Sequence, residues 1–116
     1  MSTVLVVDDE EDIRQLVAKM LRHGGFDVLE AGSAAQAAEV YAEQGSVDVV
    51  VTDVIMTGET GPALAERLRL VSPDLKVLFI SGGSRDRMHS TPRTAFLAKP
   101  FTIAEIVGSV TALLTH

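Results

Sequence analysis

Asp8, Asp9, Asp53, Ser81 and Lys99 are the residues whose types and spacing could do chemistry together. Each stands at the end of an apolar run. Thr3–Val7 leads to Asp8-Asp9, Val49–Val51 to Asp53, Val77–Ile80 to Ser81, and Ala95–Ala98 to Lys99. Laid parallel as strands, these runs bring all five side chains to one sheet edge. Three carboxylates gathered there repel one another, each close pair by up to ~4 kcal/mol at a surface-like dielectric. A cation must offset that repulsion, and all-oxygen, carboxylate-rich ligation favours Mg²⁺, with Mn²⁺ acceptable. Lys99 adds a second positive charge and Ser81 a hydroxyl donor, with Gly82 allowing close backbone approach. Metal, lysine and hydroxyl together suit stabilisation of charge on a transferring phosphoryl group. The lone Asp53 reads as the phosphoryl acceptor, and the paired Asp8 and Asp9 as metal ligands. Taken singly, Asp53 would be a turn or cap residue and Lys99 a solvated side chain. The conjunction is what points to chemistry.

The elements that must position these residues alternate along the chain. Val49–Val51 is apolar without alternation, as in a strand covered on both faces. Ile13, Leu16, Val17, Met20 and Leu21 follow helical spacing, with Gly24-Gly25 as the stop. A strand over Phe26–Ala31 follows, then a helix opened by a Ser33-Ala-Ala-Gln36 capping box and stopped by Gly45. Gly61-Pro62 opens a helix carrying Leu64, Leu68 and Val71, which Ser72-Pro73 closes. Thr102-Ile-Ala-Glu105 is a second capping box, before a helix with Ile103, Ile106, Val107, Val110, Leu113 and Leu114 on its apolar face. The pattern is an α/β fold: a five-stranded parallel sheet with helices on both faces. Right-handed crossovers make a flavodoxin-like (βα)5 strand order the natural choice. Ser84–His89 has room for one or two helical turns, and Pro92 forbids a longer one, so the fourth helix is expected to be short or missing.

Residues 1–116 make up a single domain by length, with 47% hydrophobic residues spread throughout. There is no cysteine, which excludes disulfides and makes a cytoplasmic protein the simplest reading. No apolar run approaches the ~20 residues that span a bilayer, so no membrane partner is expected. Net charge is −6 with lysines and arginines scattered, which argues against direct nucleic-acid binding. Glu10, Glu11 and Asp12 complement a helix N-terminus and need no catalytic role. His23, His89 and His116 show no ligand spacing.

Along its whole length the chain resembles the receiver domains of two-component response regulators. The resemblance rests on Asp8-Asp9, on Asp53-Val-Ile-Met-Thr-Gly-Glu-Thr-Gly61 (similar to the family's Asp-x-x-Met-Pro-x-x-x-Gly), on Ser81, and on Lys99-Pro100. Ser81-Gly-Gly and Phe96-Leu-Ala-Lys-Pro-Phe101 resemble receivers of the hybrid histidine kinase type. The resemblance implies a phosphoryl-accepting signalling switch. The donor would be a phosphohistidine on a histidine kinase or histidine phosphotransfer protein, and the acceptor Asp53. It implies that Asp8 acts on Mg²⁺ through a water, Asp9 directly, and Ile55 through its backbone carbonyl. It further implies a cis Lys99–Pro100 bond, and a switch in which Phe96 moves as Ser81 shifts toward the phosphoryl group.

Departures from the family pattern carry their own expectations. Thr57 replaces the usual proline, a change expected to leave every phosphoryl-binding group in place. Phe96 stands where tyrosine is common and lacks its hydroxyl. Ser81 to Lys99 is shorter than usual by roughly one helical turn; Gly82–Thr94 is therefore expected to order partly on phosphorylation, and the usual output and dimer surface cannot be assumed. Ile55 and Gly83 cannot orient an attacking water, which predicts slow self-dephosphorylation; beyond that and self-catalysed phosphoryl acceptance, no enzymatic activity is expected. A monomer or weak dimer is expected. The competing readings are an intermediate receiver in a multistep phosphorelay, a phosphate-independent docking module, and a haloacid-dehalogenase-like phosphatase. The last requires a second Asp where Ile55 stands.

Overall fold

A computed structural model describes residues 2–82 and 91–115. Its elements run β1 (Thr3–Val7), α1 (Glu11–His23), β2 (Asp27–Ala31), α2 (Ala34–Gln44), β3 (Val49–Asp53), α3 (Gly61–Val71), β4 (Lys76–Ser81), β5 (Thr94–Ala98) and α4 (Ile103–Leu114). The strands form one parallel sheet in the order β2-β1-β3-β4-β5. That is the doubly wound flavodoxin-like order, with β1 and β3 adjacent at the point where the winding reverses.

Strand side chains alternate between two apolar layers. Val4, Val6, Val49, Val51, Leu78 and Ile80 pack with Val17 and Leu21 of α1 and Ile106, Val110 and Leu113 of α4. Leu5, Val7, Val50, Val77 and Phe79 pack on the other face with Ala34 and Ala37 of α2 and Leu64, Ala65 and Leu68 of α3. All five residues of β3 are buried, which is why its valines show no polar alternation.

The helix ends follow local chemistry. Ser33 accepts from Gln36 N, yet the Gln36 side chain accepts from Gly32 N at 2.7 Å, so this cap reaches back one residue beyond a closed box. Gly45 ends α2 with φ 74°. At α4 the Thr102–Glu105 box is closed in both directions.

Residues 83–90, which include the two turns expected over Ser84–His89, lie outside the described residues. The described residues between β4 and β5 contain no helix: Thr91 bridges to Thr94 around a turn. The start of β5 is held instead by a polar clamp. Arg69 of α3 donates to the carbonyls of Leu75 and Arg93 at 2.7–3.0 Å and to Thr94 Oγ1 at 3.0 Å. Arg93 pairs with Asp74 at 2.9 Å. These contacts fix the strand that leads to Lys99.

Candidate functional site

The C-terminal edge of the sheet gathers the predicted residues. Register places Asp53 opposite Ile80 and Ser81 opposite Ala98, so Ser81 lies one step beyond Asp53 on the neighbouring strand. Val54 N donates to Ile80 O at 3.0 Å, and Lys99 N to Ser81 O at 2.8 Å. These bonds carry the β3–β4 and β4–β5 pairings past the strand ends and fix where Asp53, Ser81 and Lys99 emerge. The Lys99–Pro100 peptide is cis.

Asp53 is buried, and Lys99 Nζ donates to its Oδ2 at 3.2 Å. Its carboxyl is pushed up to about 6, first by burial and then by the negative charge of Asp8, against the opposing pull of Lys99. Burial and Asp8 together outweigh the pull of Lys99. Asp8 is also buried, with Oδ1 accepting from Glu10 N at 2.9 Å. Arg14 steadies this turn by donating to Asp8 O at 3.1 Å while pairing with Glu30 at 3.2 Å.

Asp9 lies in a different environment from Asp8. Its carboxylate is exposed, and Oδ2 accepts from Thr57 N at 2.8 Å. Hydrogen bonds from the Thr57 amide and hydroxyl hold its carboxyl below the usual range. Among the described residues, no group of three acidic or histidine side chains is arranged to hold a metal ion. Asp8 and Asp53 act directly on one another, while Asp9, within electrostatic reach of Lys99, is bonded to the loop after β3. In sequence, threonine looks like a harmless substitute for proline, yet it restores an N–H that proline lacks. That difference is visible in the residues themselves and is the signal for this contact.

Ile55 lies in the same loop with its side chain 81% exposed. The loop is closed by Gly61 N donating to Val54 O at 2.9 Å. A Cβ on Gly61 would collide with the carbonyl oxygen of Asp53. Gly61 is therefore more than a helix start: it lets α3 press directly on the backbone of Asp53. Phe96 is half-buried and stacks on Phe79 with ring centroids 5.2 Å apart. Beside Lys99, an apolar groove of about 230 Å³ is lined by Ile13, Leu16, Val17, Met20, Pro100 and Phe101.

The donor set suits a hard divalent cation. Two buried carboxylates, Asp8 and Asp53, lie beside Lys99, and all candidate ligands are oxygens.

The response regulator receiver domain model matches residues 4–111, and the chain belongs to that family. The sensor kinase CckA of Brucella abortus is 36% identical over 97% of this chain, which spans 12% of that kinase's length. The response regulator receiver protein CpdR of the same organism is 30% identical, with 98% of each chain covered. Among solved structures, the response regulator TrrA of Thermotoga maritima, in complex with Mg²⁺-BeF, superposes with a TM-score of 0.85 at 29% identity, covering 98% of this chain and 100% of that one. No helix among the described residues is long and apolar enough to cross a membrane.

Proposed function

We propose that this receiver domain is a phosphoryl-accepting switch with Asp53 as the acceptor. The observation that carries the reading is the buried Asp53 carboxylate at the end of β3, hydrogen-bonded by Lys99 and crowded by Asp8. An Asp53 carboxylate oxygen attacks the phosphorus of a phosphohistidine in line. The new bond is O–P, the N–P bond breaks, and the imidazole leaves with the electron pair and takes up a proton from solvent. Lys99 meets the growing charge on the phosphoryl oxygens, and the Ser81 hydroxyl donates to one of them.

Asp9, Asp53 and the Ile55 carbonyl are the groups to hold Mg²⁺ directly, with Asp8 acting through a water; Mn²⁺ suits the same ligands. Bound there, the cation supplies charge neutralisation at the phosphoryl oxygens. The Mg²⁺-BeF complex of TrrA supports, by similarity, Mg²⁺ as the cation of this domain.

The donor is a histidine kinase or histidine phosphotransfer protein. The groove between α1 and the Pro100-Phe101 turn, next to Lys99, suits the apolar face of a partner helix that carries the histidine. Conformational output runs through Ser81 and Phe96, whose stacked position on Phe79 gives it an inner packing partner to exchange. The protein works in the cytoplasm as a monomer or weak dimer, without direct contact to nucleic acid.

Incubation with phosphoramidate and Mg²⁺, followed by Phos-tag electrophoresis, tests the acceptor. A retarded band in the wild type and none in Asp53→Asn is expected. An equal shift in both proteins would refute the assignment.

A further inference from the structure

Thr57 N donates to Asp9 Oδ2 across 48 positions of sequence, joining the loop after β3 to the turn after β1. Both ends of this bond belong to the phosphoacceptor edge. Asp9 is the carboxylate proposed to bind the cation directly, and Thr57 shares a loop with Ile55, whose carbonyl is a proposed ligand. In the structure the two buried acids, Asp8 and Asp53, act on one another, while Asp9 is held by the loop. An amide and a cation therefore seek the same carboxylate.

We infer that Thr57 is a latch on the metal site: its backbone N–H holds Asp9 on the β3–α3 loop, and cation binding must break that bond. The latch resides in the backbone donor. Proline at position 57 would remove it outright, whereas alanine would keep the N–H and trim the side chain, hydroxyl and γ-methyl together. A carboxylate has lone pairs to spare, so one alternative is specific: the amide could hold Asp9 in its productive position and serve the cation. The two arrangements predict opposite effects of proline. In the latch, losing the N–H frees Asp9 and tightens metal binding; in the alternative, it loosens Asp9 and weakens binding. The inference rests on the proposed metal-assisted site, and its test needs no phosphorylation.

Wild type, Thr57→Ala and Thr57→Pro are titrated with MgCl₂ by calorimetry, without phosphodonor. The Thr57 amide of the wild type is followed by ¹⁵N–¹H NMR through the same titration. A charge-assisted hydrogen bond at an exposed carboxylate, converted to an affinity ratio, predicts about three- to tenfold tighter Mg²⁺ binding in Thr57→Pro than in Thr57→Ala. It also predicts that the wild-type Thr57 amide signal moves with the calorimetric midpoint. Equal or weaker binding by Thr57→Pro would overturn the latch, as would a Thr57 amide unmoved at Mg²⁺ saturation. The wild-type NMR titration decides the question if the proline variant fails to fold. Absence of Mg²⁺ binding in every protein would overturn the metal site and the latch together. The expected affinity order combined with no phosphorylation of Asp53 would uphold the latch and refute only the acceptor role.

Discussion

Replacing Asp53 by asparagine should make the metal-free protein more stable, although it removes the residue on which the proposed function depends. The carboxyl is raised from 3.8 to about 6, a balance that already includes the favourable pull of Lys99. Two pKa steps correspond to roughly 3 kcal/mol of penalty for holding the charge in the folded state. Local relaxation and water penetration around a buried charge reduce such a penalty, here to about 1–2 kcal/mol. The sign follows from linkage. The folded state binds the proton more tightly than the unfolded chain, so the wild type loses stability as pH rises from about 4 through 6, and the full penalty is present near pH 7. The amide of the Asp53→Asn variant carries no charge at any of these pH values. Urea unfolding in EDTA, run from pH 4 to pH 8 on both proteins, should give nearly equal stabilities at the acid end. The advantage of Asp53→Asn should grow to about 1–2 kcal/mol by pH 7 and then level off. Added Mg²⁺ should stabilise the wild type by mass action and close the gap. A difference that stays flat across pH 4–7, or a wild type more stable than the variant at pH 7 in EDTA, would refute the reasoning.

Further outcomes follow from the same geometry. Lys99→Ala should retain the fold and slow phosphoryl acceptance from phosphoramidate by about a hundredfold, as for loss of one charge-stabilising donor; stopped-flow or Phos-tag time courses measure it, and a rate within a factor of two of wild type would count against the role of Lys99. Gly61→Ala should cost about 2–3 kcal/mol in urea unfolding, because the new methyl meets the Asp53 carbonyl with no flexible neighbour to yield; a loss below about 0.5 kcal/mol would show that α3 can retreat. Ile55→Asn should speed loss of the phosphoryl group about fivefold, the worth of one hydrogen bond to an attacking water. Following the Phos-tag band after donor removal checks it, and an unchanged half-life would remove Ile55 as a lifetime determinant.

Much of this architecture is legible in the residues. The unbroken valines before Asp53 signal a strand covered on both faces, and β3 is buried throughout. The Thr102–Glu105 box marks the start of α4 because capping chemistry is local. The meeting of Asp53 with Lys99 follows from strand order, since parallel strands deliver their C-terminal residues to one edge. The less legible features depend on loops and backbone groups. The Thr57–Asp9 bond requires knowing how the β3–α3 loop folds, and its donor is a backbone N–H, which side-chain motifs do not display. Gly61 reads as a helix opening, while its contact with the Asp53 carbonyl is a matter of tertiary approach. Arg69 looks like one more surface charge on an amphipathic helix. Its reach to Leu75, Arg93 and Thr94 depends on two turns that no periodicity predicts.

The most direct test of the central claim is chemical trapping of the phosphorylated residue. The protein is treated with phosphoramidate and Mg²⁺, reduced with borohydride, which converts an aspartyl phosphate to homoserine, and mapped by peptide mass spectrometry. Homoserine at position 53, absent without donor and absent in Asp53→Asn, is the predicted result. Homoserine at Asp8 or Asp9 with none at position 53, or no conversion under conditions in which Mg²⁺ is bound, would contradict it.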